Sequence, residues 1–229
     1  MWADVIWVSI IGGLIALDRT AALQVMISRP MAAGPLVGLA LGRPMEGLQV
    51  GVLVELLWIS KPPLGGYIPP NECLTAILAS AAVIMVAPES AEPSRALITL
   101  GILVVIPPVR FFFPPLETQL RRWNGRLAAG AVLAVSRGKT PFFPGLNLLG
   151  LLPAYLGATL FILIILGPAV LILKFVYQLL PPPVLTALDW LFFCLPLIGA
   201  ASVLGAINVK RSGMIYALAF AGALSFFMI

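Results

Sequence analysis

Apolar residues run along this chain in blocks of membrane-crossing scale, at approximately 2–17, 20–42, 48–60, 73–87, 96–109, 147–173, 184–207 and 213–229. Polar and charged residues are largely confined to the intervals between them. A helix needs about 20 mostly apolar residues to cross a hydrocarbon core. The last three blocks read as ordinary spans, whereas the first five are short or interrupted.

The sharpest interruption runs from Ser60 to Glu72, where Pro62, Pro63, Pro69 and Pro70 remove backbone donors and Gly65 and Gly66 loosen the chain. A helix must break here. Broken backbone is tolerated at membrane depth only where protein buries it or where it lines a water-filled cavity, and transporters place solute sites at such breaks. Glu55 lies inside an apolar run just before the break, and Asn71 and Glu72 lie just after it. Because ionisable side chains are costly in a bilayer, they usually face a bundle interior or a solute path. The candidate solute-binding residues are therefore Glu55, Gly65, Gly66, Asn71 and Glu72. The competing expectation is that Glu55 pairs with a basic residue such as Arg29 or Lys61 and has a packing role.

Charge adds orientation. From Arg110 to Lys139 six basic residues face one acid, Glu117, so the positive-inside rule places this stretch in the cytoplasm and a loop at 174–183 outside. Within it, Pro114 and Pro115 predict the end of a span, followed by a short amphipathic surface helix or a solvated loop. The chain thus reads as an all-α polytopic membrane protein with broken or re-entrant helices lining a solute site. Its expected parts are an N-terminal membrane half at 1–109, a basic cytoplasmic segment at 110–146 and a C-terminal membrane half at 147–229.

Composition agrees: 61% of the 229 residues are hydrophobic and only 10% are charged, against roughly 25% charged in soluble domains. The net charge of +5 follows from the basic flanks of apolar runs and does not point to nucleic acid. Cys73 and Cys194 sit in apolar runs without metal-ligand spacing, as small packing residues do. Histidine is absent, which removes the commonest general base and metal ligand. No Gly-rich nucleotide loop or Gly-x-Ser-x-Gly elbow is present, and the acids are scattered. No catalytic residue, metal or cofactor is expected, and the chain reads as a transporter rather than an enzyme.

Residues 17–80 carry a resemblance. Leu17-Asp18, Arg29-Pro30, Leu36-Val37-Gly38-Leu39-Ala40-Leu41-Gly42, Gly47, Gly51, Glu55, Gly65 and Pro70-Asn71-Glu72 closely resemble the membrane IIC component of the mannose/fructose/sorbose family of the bacterial phosphotransferase system. Ser136-Arg137-Gly138-Lys139 and Leu146-Asn147-Leu148-Leu149-Gly150 look like that family's basic loop and the start of its C-terminal half. The resemblance implies a permease subunit in the bacterial inner membrane. It would assemble with a IID membrane subunit in an oligomeric complex, bind a hexose-type sugar and present it to a cytoplasmic IIB phosphocarrier charged by IIA. It also implies a sugar site near Glu55 and Asn71. The chain departs from the family pattern at Arg43 and Asn71, where aspartate is common, and at Asn147, near which the family has histidine. Other readings are a diverged relative that passes a solute without phosphorylation or acts as a regulator, and a membrane scaffold that docks partners through 110–140.

Overall fold

The computed structural model describes residues 1–59, 70–138, 143–207, 213, 214 and 217. Seven helices lie within these ranges: α1 (Trp2–Leu17), α2 (Pro30–Ala40), α3 (Pro44–Trp58), α4 (Glu72–Val86), α5 (Arg95–Ser136), α6 (Phe143–Leu179) and α7 (Pro182–Ile207). The fold is all-α, as the hydrophobic blocks predict. Three helices, Arg95–Ser136, Gly145–Leu179 and Pro182–Val203 within α5, α6 and α7, are long and apolar enough to cross a membrane. Helices α2, α3 and α4, with 11, 15 and 15 residues, reach only about 16–22 Å at 1.5 Å per residue, short of a core of about 30 Å.

The centre of the fold is α4. It is apolar all round, and Cys73 to Ile84 are buried without exception, which is what a helix without a polar face requires. Its neighbours are α1, α2, α3, α5 and α6. Its two buried hydroxyls are satisfied by backbone: Thr75 Oγ1 donates to Asn71 O at 3.0 Å and Ser80 Oγ to Gly47 O at 3.4 Å. Cys73 packs in this core as expected, but Cys194 on α7 is exposed, because little of α7 is covered by the rest of the chain.

Helices α2 and α3 form a tight hairpin. Gly42, at φ +76°, ends α2 with paired bonds from Gly42 N to Leu39 O (3.1 Å) and Arg43 N to Gly38 O (2.7 Å), the two bonds of a Schellman motif. Pro44 then starts α3. The helices meet backbone to backbone: a Cβ on Gly34 would collide with the Gly47 carbonyl, one on Gly47 with the Gly34 carbonyl, and one on Gly51 with the Pro30 carbonyl. Small residues let membrane helices approach this closely.

Several boundaries differ from the sequence expectation. The apolar run at 20–42 is divided into an irregular segment at 18–29 and α2, since Leu23, Gln24 and Met26 take positive φ and Pro30 can only begin a helix. Helix α5 does not end at Pro114 and Pro115 but passes through four prolines. A proline forfeits one backbone bond and need not end a helix whose neighbours hold it. The expected division at 110 therefore falls inside α5, and that at 147 inside α6. Between α6 and α7 only residues 180–181 are non-helical, so no ten-residue loop forms at 174–183. Lys174, Tyr177 and Gln178 do not break a helix, and only the prolines from 181 onward do. Most of the expected span at 213–229 lies outside the described residues.

The hairpin contact gives a paired test. Gly34→Ala should destabilise the folded chain by about 1–3 kcal/mol through overpacking. Gly130→Ala, in a helical position with nothing within 4 Å, should stabilise it by about 0.5–1 kcal/mol. Thermal melts of the two detergent-solubilised variants check this; equal melting temperatures would refute the backbone contact.

Candidate functional site

The site is built where α1 ends, α4 begins and α5 passes alongside α4. Asp18 caps α1 and is almost fully buried. It gathers the following segment by accepting from Val25 N (2.7 Å), Ser28 N (3.0 Å) and Ser28 Oγ (3.1 Å). Burial acts to raise the Asp18 pKa, but these bonds favour the carboxylate more strongly and hold it below its ordinary value. The next residue, Arg19, is thereby fixed beside α4 and α5.

Arg19 is the hub of a charge cluster. Its Nε and Nη2 donate to the two carboxylate oxygens of Glu72, each at 3.3 Å, the bidentate geometry that a planar guanidinium favours. Its Nη1 donates to Glu117 Oε1 at 3.3 Å, and Arg121 Nη2 donates to the same oxygen at 2.7 Å. Glu117 and Arg121 are one turn apart on α5, the spacing that makes helical ion pairs meet. Asn71 precedes α4 and caps it, with Oδ1 accepting from Leu74 N at 3.0 Å.

Arg19, Asn71, Glu117 and Arg121, with Thr20 and Asn124, form the polar lining of a cavity of about 390 Å³; Ala16, Leu17, Phe113, Leu120, Ala154 and Ala158 form the apolar lining. That size and mixture suit a small organic ligand. A second cavity of about 740 Å³ shares Thr20 and Asn124 and continues between the later parts of α5 and the start of α6, reaching Asn147 and Gly150. Among the described residues no group of acids, cysteines and histidines could hold a metal ion.

The residues expected from sequence are distributed unevenly. Asn71 lines the smaller cavity, and Glu72 stands behind Arg19. Glu55 is not among the described residues lining it. Its carboxylate pairs with the Arg29 guanidinium and accepts from Met31 N at 3.4 Å, so that a side chain on α3 serves the uncapped N-terminus of α2. Gly65 and Gly66, and Lys61, lie outside the described residues. Sequence reasoning missed Arg19, Glu117, Arg121 and Asn124. The available signal was Glu117 itself, the single acid in a basic stretch, which topology reasoning treats as one charge in a sum.

Two outcomes follow. Glu55→Gln should lower melting temperature and yield together, by on the order of 0.5–1 kcal/mol for a half-exposed ion pair at a helix end; an unchanged melt would contradict the bracing role. For Asp18, a depressed pKa means that its stabilisation is complete at neutral pH and is lost only as pH falls through the folded value, below the ordinary carboxylate range. Hydrogen exchange at Val25 and Ser28 should accordingly be flat from about pH 5 to 8 after correction for intrinsic rates. Asp18→Asn should speed it at pH 7, and equal protection in the variant would count against the clasp.

Comparison with known proteins adds a family. A model described as the phosphotransferase-system sorbose-specific IIC component matches residues 2–228. A protein of Escherichia coli (strain K12), named as a candidate N-acetylgalactosamine permease IIC component 2, is 43% identical over 53 residues. That match covers 23% of this chain and spans 40% of the relative's length. Two solved structures share the fold. One, described only as a membrane protein, has a TM-score of 0.73 at 18% identity, covering 97% of this chain and 86% of its own. The other is the mannose transporter ManYZ in complex with microcin E492, with a TM-score of 0.58 at 19% identity, covering 97% and 85%.

Proposed function

The chain belongs to the family of sorbose-specific IIC components of the phosphotransferase system, and from that membership we propose that it binds a hexose-type sugar and carries it across the bacterial inner membrane for phosphorylation by cytoplasmic partners. The observation that carries this reading is the family match over nearly the whole chain. As a IIC component it is a multi-pass membrane protein and a transport subunit, and chemistry that needs imidazole falls to other chains, since it has no histidine.

The partners that fit are a IID membrane subunit and the IIB and IIA phosphocarriers, in an oligomeric complex. In support of a membrane partner, Trp2, Ile6, Trp7, Ile10 and Leu14 leave one face of α1 exposed, and Trp190 and Ile198 project from α7. The basic 110–146 stretch, placed in the cytoplasm by its charge, offers Arg122 and Arg126 to a phosphorylated IIB protein. It lies between 1–109 and the C-terminal 147–229, and it contributes Glu117, Arg121 and Asn124 to the site.

The sugar occupies the cavity beside Asn71, whose amide nitrogen can donate to a hydroxyl while Oδ1 stays on the α4 cap. Glu72 holds Arg19 in the wall. Gly65 and Gly66 belong to the chain segment between α3 and α4 and lie outside the described residues. Glu55, paired with Arg29, stands apart from the described lining of this cavity.

The test is uptake into membrane vesicles carrying this chain with IIA, IIB and IID proteins, using radiolabelled sorbose, mannose and N-acetylgalactosamine. Accumulation of one of these as its phosphate, dependent on phosphoenolpyruvate, is the expected result. Uptake that ignores phosphoenolpyruvate would make the chain an uncoupled transporter, and no uptake of any of the three would remove the hexose reading.

A further inference from the structure

The cavity wall contains more charge than holding the helices together requires. Glu117 is 12% exposed at its side chain, as is Arg19, and both of its ion-pair contacts, with Arg19 and Arg121, fall on one oxygen, Oε1. No described group bonds Oε2. It is not an orphaned buried atom either, since the one such side-chain atom among the described residues is Thr159 Oγ1. A carboxylate oxygen that is neither paired nor sealed off, on a residue that lines a cavity, is an acceptor held ready for a donor. Two guanidinium groups fix its direction, so it loses little freedom on binding.

Its surroundings supply the complementary half. The Asn71 amide nitrogen and the Asn124 side chain make no hydrogen bond with a described group, and both line the cavity. Phe113, braced edge-on against Phe161 at a centroid distance of 5.1 Å, lines it with Leu17 and Leu120. One acceptor, two amides and an apolar wall match a ring with hydroxyls around its rim and C–H groups on its face. The formal charges of Arg19, Arg121, Glu72 and Glu117 cancel.

Resting on the reading of this cavity as the sugar site, we propose that Glu117 is a sugar-binding residue, accepting a hydroxyl through Oε2 while Arg19 and Arg121 position it. Together with Asn71 and Asn124 it offers the hydroxyls of a polyhydroxylated ring one carboxylate acceptor and two amides.

The experiment measures binding to the full chain in the complex described above, with sorbose, mannose and N-acetylgalactosamine as probes. The best-bound sugar is then compared with its monodeoxy analogues. The wild type should prefer the parent sugar over one deoxy analogue by roughly ten- to hundred-fold, the range for a hydrogen bond to a charged group. Glu117→Gln should narrow that one preference several-fold and leave the other deoxy ratios in place. A uniform fall for every ligand, tracking a lowered melting temperature with all ratios unchanged, would assign Glu117 a structural role and overturn the proposal. Should Glu117→Gln fail to fold, Asn124→Ala at an exposed helical position carries the decision, because it should erase the preference at a different hydroxyl; intact ratios there overturn the proposal as well. Failure of the wild type to bind any of the three sugars would instead overturn the functional reading on which this one rests.

Discussion

A charge removed from water must find a partner, and in a chain with so few charges that constraint settles where the helices can go. The desolvation cost of an unpaired carboxylate amounts to several kcal/mol, more than any single helix contact here returns. Each acid at the helix ends and in the interior is accordingly tied. Glu72 and Glu117 share Arg19, Glu55 holds Arg29, Glu46 holds Arg43, and Asp18 takes two backbone amides and a hydroxyl. Asp189, in the first third of α7, accepts from Ala96 N at 2.7 Å. It thus spends its charge on the N-terminus of α5, where the helix dipole and an unsatisfied amide both favour an anion.

These ties explain how helices too short to cross a bilayer hold a fixed arrangement. Helix α4 contributes burial in every direction but has no polar face to orient it. Its orientation comes from its first turn, where Asn71 caps it and Glu72 grips Arg19. The α2–α3 hairpin is oriented at one end by Glu55 reaching back to the start of α2. At the other end Arg43 donates to Glu46 and to the carbonyl of Pro88, at 2.9 and 3.1 Å. Glycine contacts set the separation of the two helices, and the ion pairs set which ends meet.

The sequence made the fold class legible because hydrophobic block length is a one-dimensional property: α1, α3 and α4 begin and end within a few residues of their blocks. Boundaries governed by proline were read less well. The same residue that starts α2 and α3 leaves α5 continuous, and the difference depends on neighbours that a single sequence does not display. The candidate site was legible in part for the same reason. Asn71 and Glu72 flank a break visible in composition. Arg19 and Glu117 stand 98 positions apart, and only the packing of α1 against α4 and of α4 against α5 brings them together. Glu55, the acid most conspicuous in its apolar run, had an equally conspicuous bland explanation in Arg29, and that is the contact observed.

Burial alone does not distinguish the two acids. Glu55 and Glu117 have similarly hidden side chains, 14% and 12% exposed, and each is held by arginine. They differ in what remains after pairing. Glu55 uses one oxygen for Arg29 and the other for the Met31 amide, so a ligand would have to displace an existing bond. Glu117 concentrates both ion pairs on Oε1 and leaves Oε2 unspent, so a hydroxyl arriving there adds a bond without breaking one. Because its positioning arginine also grips Glu72 in the first turn of α4, a ligand drawing on Glu117 and Asn71 touches two groups joined through Arg19. The proposed ligand acceptor and the first turn of α4 are thus tied to one side chain, at the point where the central helix begins.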